Sequence, residues 1–473
     1  MSAAFPDPTP AAWRAEAEKA LKGRGLETLL RLDADQLAVR PLYGRASGTE
    51  PITAPRARDA EGRAWDVRVG VEADDGAEAN AQVLAALQGG AASVVLSGAV
   101  LDDSETLARA LDGVSLEIAP AALNAGLRGD AAASALAVAA KGSPRAQLLF
   151  HMDPLSAFAE AGAAPRSVDE HIALAANTAA RHAGAYPQAR FFLASGRVAQ
   201  EAGGSLGQML GFAAASANLY IEASVAAGLS VARALDGLVL GLSVDQRHFD
   251  GLCAVRAMRL IWRSLSQAWG QETPATIEAR SSRRMLAARD PWPNLLRLGA
   301  AGFAGAVGGA EAVIVEPFTQ ALGRPDAFAR RQALNAQLVL MEEAHLGRVA
   351  DPAAGSWFLD SRTRELADAG WAELQRIERE GGLIASLRAG AFQSRVAEAR
   401  RATERALSDG RDHLVGVTRY VDEAPRPARA APRPALASKG GGDARVVAVV
   451  APVGGQIEGD AEPLLTGRQI AAV

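Results

Sequence analysis

The sequence predicts an α/β fold, a (β/α)8 TIM barrel with an N-terminal arm and a C-terminal helical extension. Between about residues 64 and 316 there are eight short apolar runs, most of them closed by Gly, Ser, Asp or Pro, which is typical of buried strands. Ala- and Leu-rich helical stretches separate these runs, and such alternation favours a closed barrel over an open sheet. The predicted strands are 65–71, 92–98, 114–120, 146–154, 189–196, 235–244, 275–282 and 312–318.

The chain divides into five predicted segments along its length. A Pro-rich lead and a helix over about residues 11–22 indicate an extended arm, and long helical patterns after the last strand predict a helical layer packed on the end of the barrel. A Pro/Ala/Gly stretch without periodicity then predicts a linker, and the last residues are too few to form a domain. The predicted boundaries are 1–45 for the arm, 46–360 for the barrel, 361–422 for the helical extension, 423–443 for the linker and 444–473 for the tail.

Composition excludes several classes of function. The 473 residues carry a net charge of −4 and no basic stripe, so we do not expect a nucleic-acid partner. No run approaches 18 uninterrupted apolar residues and no signal peptide is recognisable, so we expect no membrane span. The single cysteine, Cys253, fits a reducing cytoplasmic location.

Several motifs are shared with a known family. Residues 281–360 contain RDPWPN, ALGRPDAFARR and LGRVADPAAGSW, while WRAEAEKALKG, SGRVAQEAGGS and VGVTRY occur elsewhere in the chain. Together they resemble the methylmalonyl-CoA mutase family over roughly residues 10–422. The resemblance implies a barrel that threads CoA along its axis and a radical rearrangement of a CoA thioester, for which adenosylcobalamin supplies the hard step.

The resemblance also shows where this chain departs from catalytic members. Their barrel strand ends in S-G-Y-H-x-x-E-A-G, and the histidine polarises the thioester carbonyl. Here Ser195 and Gly196 keep the frame, but Tyr-His has become Arg197-Val198, and valine donates no hydrogen bond. The expected tyrosine is also missing ahead of the first strand, and Val69 stands in place of glutamine. We therefore predict no catalytic residue and a vestigial pocket at Trp65, Arg68, Ser195, Gly196, Gln200 and Glu201.

The cobalamin loop of the family, D-x-H-x-x-G, is absent. The nearest string, DHLVG at 412–416, is one residue short, and we expect His413 to be exposed or to end a helix. Too few residues follow 422 for a cobalamin domain, and RVVAVVAPV in the tail could be a vestige of its first strand. We therefore predict no cofactor and no metal bound by this chain, with adenosylcobalamin held by a partner subunit.

Three functions are compatible with these features. The first is a silent small subunit of a heterodimeric mutase, which supports a large catalytic subunit through the arm at 1–45. The second is a catalytic component that uses a separate cobalamin-binding chain; Arg197-Val198 argues against it unless another donor such as His151 substitutes. The third is a non-catalytic acyl-CoA-binding protein. Bulky residues in strands four and eight favour a filled barrel interior.

Overall fold

Eight parallel strands close into a barrel at the centre of the chain, as the sequence predicts. The computed structural model describes residues 9–45, 50–56 and 62–432, so the predicted tail at 444–473 lies outside the described residues. Each strand pairs with its neighbour in sequence, and the last pairs with the first. The strands are β1 Asp66–Glu72, β2 Ser93–Ser97, β3 Ala121–Asn124, β4 Leu148–Met152, β5 Arg190–Ser195, β6 Leu238–Val244, β7 Ile277–Ser281 and β8 Ala312–Ile314.

The third strand lies later in the chain than predicted. No strand forms over 114–120, where the backbone amides of Ile118 and Ala119 both bond to the carbonyl of Ser115 in a turn. Ile118 is 71% exposed, so this apolar run does not form a buried strand. The strand is instead Ala121–Asn124, whose register is set by pairing with β2 and β4. The strand propensity of residues 114–120 was therefore outweighed by the pairing of Ala121–Asn124 within the barrel.

Helices surround the barrel and continue past it. The first precedes the barrel, and the last three follow its final helix. Their bounds are α1 Pro10–Ala20, α2 Gly76–Gln88, α3 Ser104–Ala110, α4 Gly129–Ala139, α5 Pro154–Ala161, α6 Val168–Ala183, α7 Arg197–Glu201, α8 Leu206–Ala226, α9 Val231–Asp236, α10 His248–Ala268, α11 Asn294–Gly308, α12 Ala327–Leu338, α13 Trp357–Arg379, α14 Leu383–Arg388 and α15 Ala391–Ser408.

The helical extension packs on the side of the barrel rather than on its end. Helix α13 runs against α8 and α10, and α12 belongs to the barrel's own ring of helices. Close approach of α8 and α13 depends on small residues: a Cβ added at Gly211 would lie 2.7 Å from the Cβ of Glu373. A Cβ at Gly370 would lie 2.7 Å from the Cβ of Leu210. The Gly- and Ala-rich face of α8 therefore accounts for the position of the extension.

The first part of the predicted linker is held against the barrel. Ala430–Ala431 form a short antiparallel pair with Arg324–Pro325. The indole Nε1 of Trp292 donates to the carbonyl of Arg426 at 3.0 Å, and the Arg426 guanidinium lies over the same ring. The described residues of the predicted linker, up to 432, are therefore held at these two points although most of them are exposed.

The arm has an anchored half and an exposed half. Helix α1, capped by the Thr9 side chain, has no buried residue. Further along, two strands of two residues each, Arg31–Leu32 and Ala38–Val39, pair in an antiparallel hairpin. The carboxylate of Asp35 accepts the backbone amide of Gly207 at 3.0 Å, which attaches the hairpin to the start of α8.

A buried arginine on α13 joins this hairpin to the barrel helices. Arg362 has a fully buried side chain, and its guanidinium donates to the carboxylates of Asp33 and, at 3.0 Å, Asp250. Asp33 belongs to the arm and Asp250 to α10, so one cation links three parts of the chain. Burial by itself lowers the pKa of Arg362, but the two carboxylates raise it above its ordinary value.

Replacing this cation should destabilise the fold. Arg362→Met leaves two carboxylates without their partner in a mostly buried setting, so we expect the free energy of unfolding to fall by about 3 kcal/mol. Urea unfolding followed by circular dichroism measures the change. The matched control is Arg379→Met on the exposed face of the same helix, which should change stability by about 0.5 kcal/mol or less. Equal stability of the two variants would contradict the anchoring role of Arg362.

Candidate functional site

The register of the strands decides which side chains line the barrel interior. Neighbours in a parallel ladder point to the same face, and residues alternate along each strand. Glu278 on β7 and His151 on β4 lie on opposite sides of the barrel, yet the Glu278 Oε2 and His151 Nδ1 atoms are 4.0 Å apart. Both side chains therefore point inward, and the alternate residues of each strand follow from them.

A buried ionic network occupies one part of the interior. The guanidinium of Arg68 donates from Nη1 to Glu278 and from Nη2 to Asp66, both at 2.6 Å, and from Nε to the Ser93 hydroxyl at 2.7 Å. Ser93 in turn donates to Asp66 at 2.7 Å. Burial opposes ionisation of Glu278, but the charge that His151 acquires at low pH and the charge of Arg68 outweigh it and keep the pKa of Glu278 below its ordinary value. The guanidinium is thus hydrogen-bonded to both carboxylates inside the barrel.

An apolar layer fills another part of the interior. Val95, Ala122, Leu149 and Ile314 form a small cluster separate from the main core. The bulkiest residue of β4, Phe150, faces the outer helices instead, where it packs edge-on against His182. The interior is therefore filled, as expected, but by medium-sized apolar side chains and ion pairs rather than by the largest residues of strands four and eight.

His151 is held in an unusual backbone conformation in this interior. Its φ is +45°, a region that residues other than glycine rarely adopt, and its side chain is 1% exposed. Within the described residues, its Nε2 has no hydrogen-bond partner. Burial lowers the pKa of His151 to about 4, so the imidazole is neutral near pH 7. Its ring is enclosed and not positioned on the open mouth of the barrel.

The frame after β5 is retained for architectural reasons. A Cβ added at Gly196 would lie 1.9 Å from the carbonyl oxygen of Met209, so no larger residue fits there. The hydroxyl of Ser195 accepts the backbone amide of Arg197 at 3.3 Å. These contacts hold β5 and α7 against the start of α8, and they explain the presence of Ser195 and Gly196 by packing and hydrogen bonding within the chain.

Two polar residues of α7 connect this frame to the end of β7. Gln200 Oε1 accepts the Ser282 hydroxyl at 3.0 Å, while Glu201 accepts the Ser243 hydroxyl at 3.3 Å and the backbone amide of Arg283 at 3.1 Å. All three contacts lie at the carboxyl ends of the strands, where barrel enzymes hold their active sites. Here they cross-link neighbouring loops.

Position 198 contributes to packing. Val198 is 6% exposed and belongs to the main hydrophobic core. Its neighbour Arg197 is charged and lies among Arg280, Arg283, Glu201 and Glu316.

Glu316 holds two of these cations. Its Oε1 accepts from Arg280 Nε at 2.7 Å and from Arg283 Nε at 3.1 Å. Burial opposes its ionisation, but the surrounding guanidiniums lower the pKa of Glu316 to about 2.

The structure separates the six predicted pocket positions. Ser195, Gly196, Gln200 and Glu201 come together at the mouth, whereas Arg68 lies deeper, in the ionic network. Trp65 precedes β1 at the opposite end, where its Nε1 donates to Gln337 of α12 at 3.2 Å.

Charged partners inside the barrel were missed by sequence reasoning. They are Asp66, Glu278, Arg280 and Glu316. Their signal was present, because charges at alternate positions of apolar strands, as in DVRVGV and IEARS, indicate an interior polar face.

The described residues do not fit a cobalamin site. His413 lies in an exposed loop after α15, where its Nε2 is 3.1 Å from Arg419 Nη1. Asp412 is engaged by Arg247 Nη2 at 2.6 Å, so this loop is already tied to the barrel. Among residues 9–45, 50–56 and 62–432, no three His, Cys, Asp or Glu side chains are grouped so that they could hold a metal ion. Within the same ranges, no helix is both long and apolar enough to cross a membrane.

His151 and Asp153 affect stability in opposite directions as the pH falls. The pKa of His151 is about 4 in the folded chain, against an ordinary value of 6.5. Between these two pH values the unfolded chain binds a proton that the folded chain does not, so acidification destabilises the fold. Burial raises the pKa of Asp153 to about 6 from 3.8, although Tyr220 donates to it at 2.6 Å. Asp153 therefore adds stability as the pH falls through about 6. The wild-type curve contains both effects.

A comparison of variants should isolate the histidine. We expect a change from about pH 7 to about pH 5 to lower the free energy of unfolding of the wild type by about 2 kcal/mol more than that of His151→Gln. Urea unfolding at the two pH values measures it. His413→Gln, at an exposed histidine, is the control and should have little effect at either pH. A difference that does not change with pH would rule out a buried, neutral His151.

Comparison of the sequence with known proteins identifies the family to which this barrel belongs. The methylmalonyl-CoA mutase family model matches residues 88–437. A methylmalonyl-CoA mutase small subunit of Streptomyces virginiae is 35% identical over 92% of this chain and 74% of its own length. A probable small subunit of Mycobacterium tuberculosis is 34% identical over 82% of this chain, and the small subunit of Propionibacterium freudenreichii subsp. shermanii is 32% identical over 80%. The chain spans 63% of each of the latter two relatives. It belongs to the methylmalonyl-CoA mutase family.

Proposed function

We propose that this chain is a non-catalytic small subunit of an adenosylcobalamin-dependent methylmalonyl-CoA mutase, the enzyme that interconverts methylmalonyl-CoA and succinyl-CoA. Its role is to support a longer homologous subunit that carries the active site. The observation that carries the proposal is the filled barrel axis, where Arg68, Glu278 and Asp66 form a closed ionic network. Relatives of the same family are named as small subunits, which supports this role.

Position 198 supports catalytic silence. The reaction needs a donor to polarise the thioester carbonyl, and losing one such donor costs about 10²–10³ in rate. Val198 offers no donor and is used for core packing. His151, the candidate substitute, is enclosed beside Glu278, and its low pKa leaves it neutral. A catalytic component with a separate cobalamin chain is therefore the weaker reading.

The interior also argues against an acyl-CoA-binding protein. Catalytic members thread CoA along the barrel axis, which requires an open interior. Here the four residues of the apolar layer are buried, each 7% exposed or less: Val95, Ala122, Leu149 and Ile314. Opening a path would also break the bonds of Arg68 and leave buried charges unpaired, at a cost of several kcal/mol.

Adenosylcobalamin belongs to the partner in this proposal. The loop around His413 does not fit the group, so the partner subunit would hold it and supply the radical chemistry. A cytoplasmic location goes with this role, in keeping with the single free thiol of Cys253.

The arm is the proposed contact with the partner. Helix α1 has no buried residue, and apolar side chains on the following segment face solvent. Leu32 is 65% exposed and Leu30 is 45% exposed. An apolar surface on an extended arm is typical of a segment that is covered in an assembly. The Arg362 anchor holds the base of the arm and leaves this surface free to dock.

Activity measurements test the silent role. We expect no turnover of methylmalonyl-CoA by the isolated chain with added adenosylcobalamin, and full turnover only after mixing with the large subunit. Val198→His should leave turnover of the complex within about twofold of wild type, because the axis stays closed. Substantial turnover by the chain with only a separate cobalamin-binding protein would overturn the proposal.

A charge placed on the arm tests the contact. Leu32→Asp should weaken association with the large subunit by about 30-fold, the effect of removing an interface hot spot. Co-purification and analytical ultracentrifugation measure it. Ile118→Asp is the matched control, since Ile118 is 71% exposed on the barrel rather than on the arm. If Leu32→Asp associates as tightly as this control, the arm is not the contact.

A further inference from the structure

The mouth of the barrel remains open above the closed interior. Three inward positions at the carboxyl ends of neighbouring strands, Glu72, Ser97 and Asn124, are at one level in the register. Asn124 is exposed and the other two are half-buried, as is Leu193 of β5. The deeper Val95 and Ala122 are buried. Solvent therefore enters a polar funnel at the mouth and stops at the apolar layer.

Arginine side chains stand on one side of this funnel. Arg280 lies close to the β1 backbone, since a Cβ added at Gly70 would be 3.4 Å from its Nη2. Arg283 reaches the opening, with a side chain 41% exposed. Arg197 stands beside both, and its Nε is buried with no hydrogen-bond partner among the described residues.

The carboxylates around these cations are shared among them. Glu316 and Glu201 act on Arg197, and Glu72 acts on Arg283 as well. Glu316 already accepts from Arg280 and Arg283.

The remaining carboxylates are engaged elsewhere. Glu201 accepts the Ser243 hydroxyl and the Arg283 backbone amide rather than a guanidinium. Glu72, at the rim, lies 3.7 Å from Arg324. Among the described residues, the guanidinium of Arg197 has no carboxylate as an ion-pair partner.

An unpaired guanidinium in such a setting is costly. Burial and the nearby charge of Arg280 lower the pKa of Arg197 to about 10, in accord with incomplete compensation. An oxyanion would relieve this cost, because guanidinium groups match carboxylate and phosphate oxygens with paired N–H donors.

We propose that the funnel binds a small free oxyanion of the carboxylate or phosphate type, held by Arg197 with help from Arg283. The closed layer below limits the ligand to a compact one. The site does not depend on the small-subunit role, since every residue in it belongs to this chain. It is also distinct from the arm, so failure of either proposal leaves the other standing.

Calorimetric titration of the full chain tests the site. Inorganic phosphate and succinate are titrated separately in chloride buffer, so that the two arms tell a phosphate ligand from a carboxylate ligand. We expect binding of at least one, and a dissociation constant weaker by about tenfold or more in Arg197→Gln, which loses charge-assisted hydrogen bonds. Arg109→Gln is the control, because Arg109 is a 57% exposed arginine on α3 and should bind as wild type.

A second variant guards against a folding defect. Arg283→Gln changes a partly exposed side chain and should also weaken binding. In addition, Arg197→Gln without ligand should melt at the same temperature as wild type or higher, since it removes an uncompensated charge. The proposal is overturned if neither anion binds at millimolar concentration, or if both variants bind as tightly as wild type.

Discussion

The pairing of Arg68 with Asp66 and Glu278 inside the barrel is the constraint on which the rest of the structure depends. The Arg68 guanidinium and the Glu278 carboxylate are buried at the centre of the fold, and Asp66 is partly buried. Each charge is stable there because its partners are within hydrogen-bond distance. The network joins β1 to β7 across β8 and therefore helps to close the barrel. It also occupies the space through which a long ligand would have to pass.

The closed interior of the barrel affects how Val198 is interpreted. A lone substitution of a catalytic donor could accompany chemistry moved to another residue. Val198 instead packs into the core, while Gly196, Gln200 and Glu201 keep contacts that join loops. These contacts join loops of the barrel, so the frame around position 198 has a structural role.

Buried charges are also paired outside the barrel, where the arm and the helical extension pack. Arg362 ties the arm to α10 and α13 through two carboxylates, and small residues of α8 let α13 approach closely. The anchored base leaves α1 and the apolar residues near Leu32 exposed. The mouth of the barrel differs, because Arg197 has no ion-pair partner there among the described residues. Such an uncompensated charge is tolerated where a ligand or a partner supplies the missing charge.

Hydrophobic runs and motifs are local properties of the chain, so they were enough to predict the barrel class, seven of the eight strand positions and the family. They could not place the third strand, since Ala121–Asn124 has little propensity of its own and is selected by its neighbours in the ladder. Alternating charges in DVRVGV and IEARS indicate an inward polar face, but they do not say which residues of different strands meet. Those partners are set by the register of barrel closure, which brings Arg68, His151 and Glu278 together over separations of up to 210 residues. Only the tertiary structure therefore distinguished a filled axis from an empty one, and it alone assembled the arginines at the mouth.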